Sequence, residues 1–99
     1  MKYKIRITPL VIHDIKSIVD YIAEDNETTA KEMGEKLYIV IEDLKTFPNS
    51  GSNLSNKISV KVDYKYVICE RYMIVYKVQD DYVSVYRVFD MRRDYKGLL

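Results

Sequence analysis

Apolar residues recur along this chain at two periods, two and then about 3.6, and each change of period marks a change of element. In KYKIRIT, residues 2–8, Tyr3, Ile5 and Ile7 alternate with Lys2, Lys4 and Arg6. That is a half-exposed β-strand, expected at or near a sheet edge. Thr8-Pro9 then breaks the alternation. A threonine hydroxyl accepts from otherwise free helical N–H groups, and proline suits the first helical position. Val11, Ile15, Ile18 and Ile22 follow at four, three and four residues, with Ile12 and Val19 widening the stripe. This predicts an amphipathic helix of about four turns.

The polar run EDNETT ends that helix, and a second is expected from Asn26 or Glu27. Its apolar face is Ala30, Met33, Leu37, Val40, Ile41 and Leu44. Gly34 lies inside it, where glycine costs up to about 1 kcal/mol relative to alanine. A close approach of the two helices would account for it. FPNSGSN stops the second helix, because Pro48 cannot continue it and Asn49, Ser50 and Gly51 are turn formers. Two helices with a short polar link predict an antiparallel hairpin.

The remainder reads as β. ISVKV, residues 58–62, is a short strand or an extended lead-in. YKYVICE, YMIVYKVQ and YVSVYRVF are rich in tyrosine, valine and isoleucine and are separated by very short links, which predicts an antiparallel meander. The links fall near Glu70-Arg71 and at Asp80-Asp81. Glu70-Arg71 lacks the glycine or asparagine that a two-residue turn favours, so a longer or bulged connection is expected there. Strict alternation puts Tyr72 with Tyr76 and Tyr82 with Tyr86. It puts Arg87 with Val83, Val85, Phe89 and Met91. The expected fold is α+β in the order β-α-α-β-β-β, one domain over residues 1–99. A helical hairpin covers one face of a mainly antiparallel sheet. The expected core is Ile5, Ile7, Ile15, Ile18, Ile22, Leu37, Ile41, Leu44, Ile74, Val85 and Val88.

Composition narrows the chemistry. The 99 residues contain no apolar run near the roughly 20 residues needed to span a bilayer. The N-terminus shows no signal-peptide pattern. Cys69 is the sole cysteine, which rules out a disulfide within the chain and suits the cytoplasm. Cys69 and the lone His13 are too few for a metal site, and neither metal nor cofactor is expected. Cys69 reads as a buried small hydrophobe, with a nucleophile paired to His13 as the alternative. His13 reads as exposed or capping. The carboxylate pairs Glu24-Asp25, Glu42-Asp43 and Asp80-Asp81 lie at helix ends or in a turn, where carboxylates are ordinary. No Gly-rich phosphate loop or G-x-S-x-G motif is present.

Net charge is +1 at pH 7, but the halves differ. Residues 1–50 carry seven Lys/Arg against nine Asp/Glu, and residues 51–99 carry nine against six. The basic half also holds most of the ten tyrosines. Tyrosine across a sheet forms stabilising cross-strand pairs, or, with basic neighbours, a stacking platform. Arg87 stands among apolar strand residues, so it either pairs within the protein or lines a partner's site. The strand then runs into Arg92-Arg93-Asp94-Tyr95. Guanidiniums and a phenol suit a phosphate, a base or an acidic partner.

These segments resemble the RelE/ParE superfamily of toxins from type II toxin–antitoxin pairs. YKIRITPLVIHDIKSIVDYI is similar to that family's opening strand, Thr/Ser-Pro helix start and first helix, with Asp14, Ile15, Ile18 and Tyr21 at matching positions. LKTFPNSG is similar to its second helix end, and RYMIVYKVQDDYVSVYRVFDMRRDY to its closing strands and arginine pair. The resemblance implies the same β-α-α-β-β-β fold, a cognate antitoxin as partner, and no membrane. It implies one of two targets: DNA gyrase, bound by the ParE branch, or the ribosome and its mRNA, cut without metal by the RelE branch.

Arg93 and Lys65 match basic positions of the RNA-cleaving branch; Arg92, Arg87 and Tyr95 are further candidates for target binding or catalysis. Two positions depart from the pattern: Met73 replaces the usual arginine after a tyrosine, and Asp90 replaces a common histidine before the arginine pair. Cleavage needs a group to activate the 2′-hydroxyl, a cation for the developing charge and an acid for the leaving oxygen. Met73 and Asp90 leave that set incomplete, and the helical half looks more like the ParE branch. The preferred expectation is a binding toxin, the alternative a ribosome-dependent endoribonuclease, and a third reading a toxin that has lost activity.

Overall fold

The computed structural model describes residues 3–56 and 63–92. Strand β1 (Lys4–Ile7) leads into helices α1 (Pro9–Ala23) and α2 (Glu27–Asp43). A two-residue strand β2 (Ser52–Asn53) and a 3₁₀ turn (Leu54–Asn56) follow, neither of which the pattern had indicated. The meander is β3 (Lys65–Cys69), β4 (Tyr72–Gln79) and β5 (Tyr82–Asp90). Residues 58–62, the possible ISVKV strand, lie outside the described residues, as do Arg93 and Tyr95.

Both helix starts follow the capping chemistry. Thr8 Oγ1 accepts from the Val11 N–H at 3.3 Å and donates to the Tyr86 carbonyl at 3.1 Å, so one hydroxyl caps α1 and ties it to β5. Pro9 opens the helix. Asn26 caps α2 by accepting from the Thr29 N–H at 2.9 Å. Gly34 does mark a close approach: a Cβ there would stand 3.0 Å from Val19 Cγ2 of α1.

The sheet has the order β1-β5-β4-β3-β2. β1 runs parallel to β5 and the other ladders are antiparallel. β1 is therefore an edge strand. The helices cover one face, where Val11, Ile15, Ile18, Leu37, Ile41 and Leu44 meet Tyr72, Ile74, Tyr76, Val83, Val85 and Val88. Of the expected core, Ile5, Ile7 and Ile22 are only partly buried against this cluster. Cys69 is buried within it, and burial pushes its thiol pKa up, away from nucleophilic character. His13 is exposed on α1. A smaller cluster of Leu54, Met73 and Val75 lies on the other face, edged by Tyr64, Tyr66, Phe89 and Met91.

Two expectations about the meander are corrected. Cys69 pairs with Tyr72, so Glu70 and Arg71 alone make that turn. Glu70 takes φ 56°, a left-handed conformation costing roughly 1–2 kcal/mol for a side-chain-bearing residue. Several contacts hold it: Lys36 Nζ lies 2.6 Å from Glu70, the Met91 N–H donates to the Arg71 carbonyl at 2.9 Å, and Arg71 itself is clamped by Asp90. The irregularity falls instead on β5, where Val75 pairs with Arg87 but Tyr76 with Val85, leaving Tyr86 as the extra residue of a bulge. Alternation is lost across that bulge. Arg87 shares a face with Phe89 and Met91, while Val83 and Val85 face the helices.

Tyr76, buried under the helices, pins the turn after α2. Its hydroxyl donates to the Pro48 carbonyl at 2.8 Å and accepts from the Gly51 N–H at 3.0 Å. Burial raises its pKa. The helix-side core rests on α1, whose Ile18 is buried at its centre. Replacing Ile18 with Asp puts an unpaired charge there and should cost about 3 kcal/mol or more, read as a lowered urea midpoint. An unchanged midpoint would refute the assignment.

Candidate functional site

β5 carries the candidate site because it is an interior strand whose C-terminal end runs past β1. The β1–β5 ladder stops at Val85, so β5 beyond that point has a bare edge. Asp14 of α1 fills it. Its Oδ2 accepts from the Val88 N–H at 2.9 Å and from Arg87 Nε at 2.8 Å, and its Oδ1 accepts from Arg87 Nη2 at 3.1 Å. Asp14 is buried while the Arg87 side chain remains 41% exposed. The guanidinium also lies 5.0 Å from the Phe89 ring centre.

A second clamp closes the strand. Asp90, 3% exposed, accepts from Arg71 Nε at 3.2 Å and Nη2 at 2.5 Å, and its Oδ1 also accepts from the Arg92 N–H at 2.9 Å. The side-chain bond to Asp90 raises the Arg71 pKa further, so this guanidinium stays charged. Asp90 thus does a structural job where the family resemblance expects a histidine. Met73, at the other departure, is fully buried among apolar residues.

Of the five candidate residues the structure describes three, Arg87, Arg92 and Lys65, and these do not all converge. Arg87 and Arg92 lie toward the same end of β5. Arg92 is exposed and lines a groove of about 460 Å³ with Ile22, Thr29, Met33, Arg71 and Tyr72. Lys65 starts β3, opposite Tyr76, four ladder steps from the Cys69–Tyr72 pair, or about 13 Å along the strand. Its ammonium donates to Asn53 Oδ1 at 3.2 Å. Arg93 and Tyr95 follow Arg92 outside the described residues.

The tyrosines divide by face. Tyr72 and Tyr76 are buried beneath the helices and cannot form a platform. Tyr64 and Tyr86 meet edge to face at 5.3 Å on the opposite side, with Lys77 5.8 Å from the Tyr64 ring; Arg6 lies 3.7 Å from the Tyr82 ring. This face offers cations and aromatic surface for docking. No group of three or more His, Cys, Asp or Glu among the described residues could hold a metal ion.

Asp14, Asp90 and Arg71 were not among the selected site residues. A signal for the first existed: Asp14 sits three residues from Val11 in the apolar stripe of α1, a carboxylate that needs a partner. Arg87, an arginine in an apolar strand, needed one as well.

Two helices laid across one face of this mixed sheet, with arginines gathered at the end of β5, define an α+β toxin fold of the RelE/ParE kind. Residues 5–95 match the sequence model of the ParE toxin of type II toxin–antitoxin systems, parDE, and the chain belongs to that family. Its fold is similar to that of a chain in the chromosomal ParDE toxin–antitoxin system of P. aeruginosa. The TM-score is 0.74 at 13% identity, over 90% of this chain and 96% of that one. A chain of the RelBE2 toxin–antitoxin complex from Mycobacterium tuberculosis aligns at TM-score 0.56 and 17% identity, over 91% and 99% of the two chains. No curated protein sequence matches.

The Asp14 clamp makes a measurable claim. Asp14→Ala should cost about 3 kcal/mol, since it strands the buried Val88 N–H as well as Arg87. Asp14→Asn, which keeps an acceptor for that N–H, should cost less. A double-mutant cycle with Arg87→Ala should give a coupling of at least about 1 kcal/mol in denaturation. Simple additivity would mean that the pair contributes nothing.

Proposed function

We propose that this ParE-family toxin arrests growth by binding an essential target in the cytoplasm, DNA gyrase, and is silenced by a cognate antitoxin. The observation that carries the reading is the neutralisation of Arg87 and Arg71. Arg87 and Arg71 each hold a buried carboxylate, Met73 offers no charge, and Asp90 is occupied. A metal-free nuclease needs a cation and proton-transfer groups around one phosphate. The described residues supply a rigid scaffold ending in Arg92, which suits recognition through protruding charge.

Arg92 and Arg93 are the proposed target contacts, with Lys65 and Tyr95 secondary; Arg87 is proposed to orient the strand end. The antitoxin contact is proposed to be part apolar and part ionic. Leu10, Ile12, Ile39 and Phe47 are more than half exposed and supply apolar surface for it.

Induction in bacteria should stop growth with a rise in DNA-damage signalling while translation continues. Arg93→Ala should abolish the arrest without lowering the melting temperature, as expected of a residue that serves target contact and not the core. Purified protein should inhibit gyrase on supercoiled plasmid and leave message on programmed ribosomes intact. Codon-specific cuts that vanish in Arg93→Ala would instead establish the ribosome-dependent endoribonuclease. No growth effect in any host tested would favour an inactive toxin.

A further inference from the structure

The groove beside Arg92 is built from stretches far apart in sequence. Ile22 lies in the last turn of α1, Thr29 and Met33 are four residues apart on one face of α2, and Tyr72 begins β4. Ile22, Met33 and Tyr72 supply its apolar surface. The first two are only partly buried, so the helix-side core stands open at this end. Three charged residues also line the groove, and two of them are already paired: Glu70 with Lys36, and Arg71 with Asp90. Arg92 is exposed and has no ion-pair partner among the described residues. Its backbone is fixed all the same, because its N–H donates to Asp90 Oδ1 at 2.9 Å. The strand end thus holds one free guanidinium at the rim of an apolar hollow.

We infer that this groove receives a large apolar side chain of the toxin's target protein, and that a carboxylate next to it in the target pairs with Arg92. The groove, about 460 Å³, admits a leucine or phenylalanine side chain together with the backbone that carries it. An apolar anchor seated in a pocket, with charge at the rim, is the arrangement that concentrates binding energy at protein interfaces. The charge follows from the pairing already made. Glu70 and Arg71 are satisfied within the chain, so Arg92 alone is left to choose the partner's sign, and it chooses a carboxylate. The groove is also continuous with the target contact proposed for Arg92. A nucleic acid is disfavoured, because phosphate binding draws on several free cations and the groove offers one. The identity of the target rests on the gyrase reading above; the chemistry of the occupant rests on the groove alone.

Inhibition of purified gyrase by the full chain and two variants tests the inference. Thr29 is exposed, and its bond to Asn26 runs through the backbone N–H, so Thr29→Trp fills the groove and keeps the cap of α2. It should raise the concentration for half-inhibition by about tenfold or more at an unchanged melting temperature. Arg92→Gln should weaken inhibition and make it less dependent on salt. Full inhibition by either variant overturns the inference while the gyrase reading stands. If the chain alone binds the plasmid and both variants lose that binding, the groove holds nucleic acid and the inference is overturned as well. If the unsubstituted chain does not inhibit gyrase, that reading fails instead. The groove is then judged with an acetylated, amidated peptide that places a phenylalanine beside a glutamate. A shift of the Met33 methyl resonance that weakens when glutamine replaces the glutamate supports the inference. No shift at millimolar peptide, or an equal one from the glutamine peptide, overturns it.

Discussion

A single carboxylate on α1 decides how the helical layer sits on the sheet. Asp14 satisfies the Val88 amide where β1 no longer covers β5, and holds Arg87 with the same two oxygens. The contact spans 73 residues of sequence to Arg87. An orphaned buried N–H costs about 1–3 kcal/mol, and a lone buried carboxylate more, so neither group is tolerable without the other. Hydrophobic packing between α1 and β5 is non-directional and would accept several rotations of the helix. The Asp14 geometry accepts one. Thr8 adds a second fixed point, since its hydroxyl bonds the Tyr86 carbonyl at the bulge. Between them, cap and carboxylate locate the start of α1 against the irregular part of β5.

The bulge matters for the same reason. Tyr86 is inserted where the strand passes from facing the helices with Val83 and Val85 to presenting Arg87 on the other face. Without it, strict alternation would carry Arg87 under the helices, where a guanidinium is costly. With it, Arg87 reaches the edge, keeps part of its surface in water and still pairs with Asp14. Asp90 repeats the device one turn of the pleat further on, joining Arg71 to the strand end. Both clamps rigidify the backbone from which Arg92 projects. Preorganised charge loses less entropy on binding than charge on a free tail.

Most of the fold was legible in the sequence because it rests on local rules. The Thr8-Pro9 start, the Asn26 cap, the close approach at Gly34 and the edge position of β1 follow from capping, propensity and alternation. What was not legible rests on tertiary override. Nothing local at Glu70-Arg71 favours a tight turn; it forms because Lys36, Asp90 and Met91, all distant in sequence, hold it. The bulge has no composition signal, so period-two reasoning misplaced Arg87 relative to Val83 and Val85. The candidate site was legible only in part for a related reason. An isolated charged residue in an apolar pattern shows that a partner exists, but two such residues 73 positions apart do not announce each other.

Charge divides along the same line as the layers. Nine of the fifteen carboxylates lie between Asp14 and Asp43, within the helical hairpin, against three lysines there. The rest of the chain is net basic. Overall charge near zero therefore conceals a dipole between the helical layer and the rest of the molecule. An acidic partner segment is repelled by one layer and drawn toward Lys4, Arg6 and the strand ends. The gradient acts within about 8–10 Å at physiological salt, which limits it to orienting an encounter already under way. Apolar contact cannot supply that orientation, since Leu10, Ile12, Ile39 and Phe47 stand exposed on or beside the helical layer and respond to neither sign of charge. Charge therefore sets the direction of approach and apolar surface the area that is finally covered.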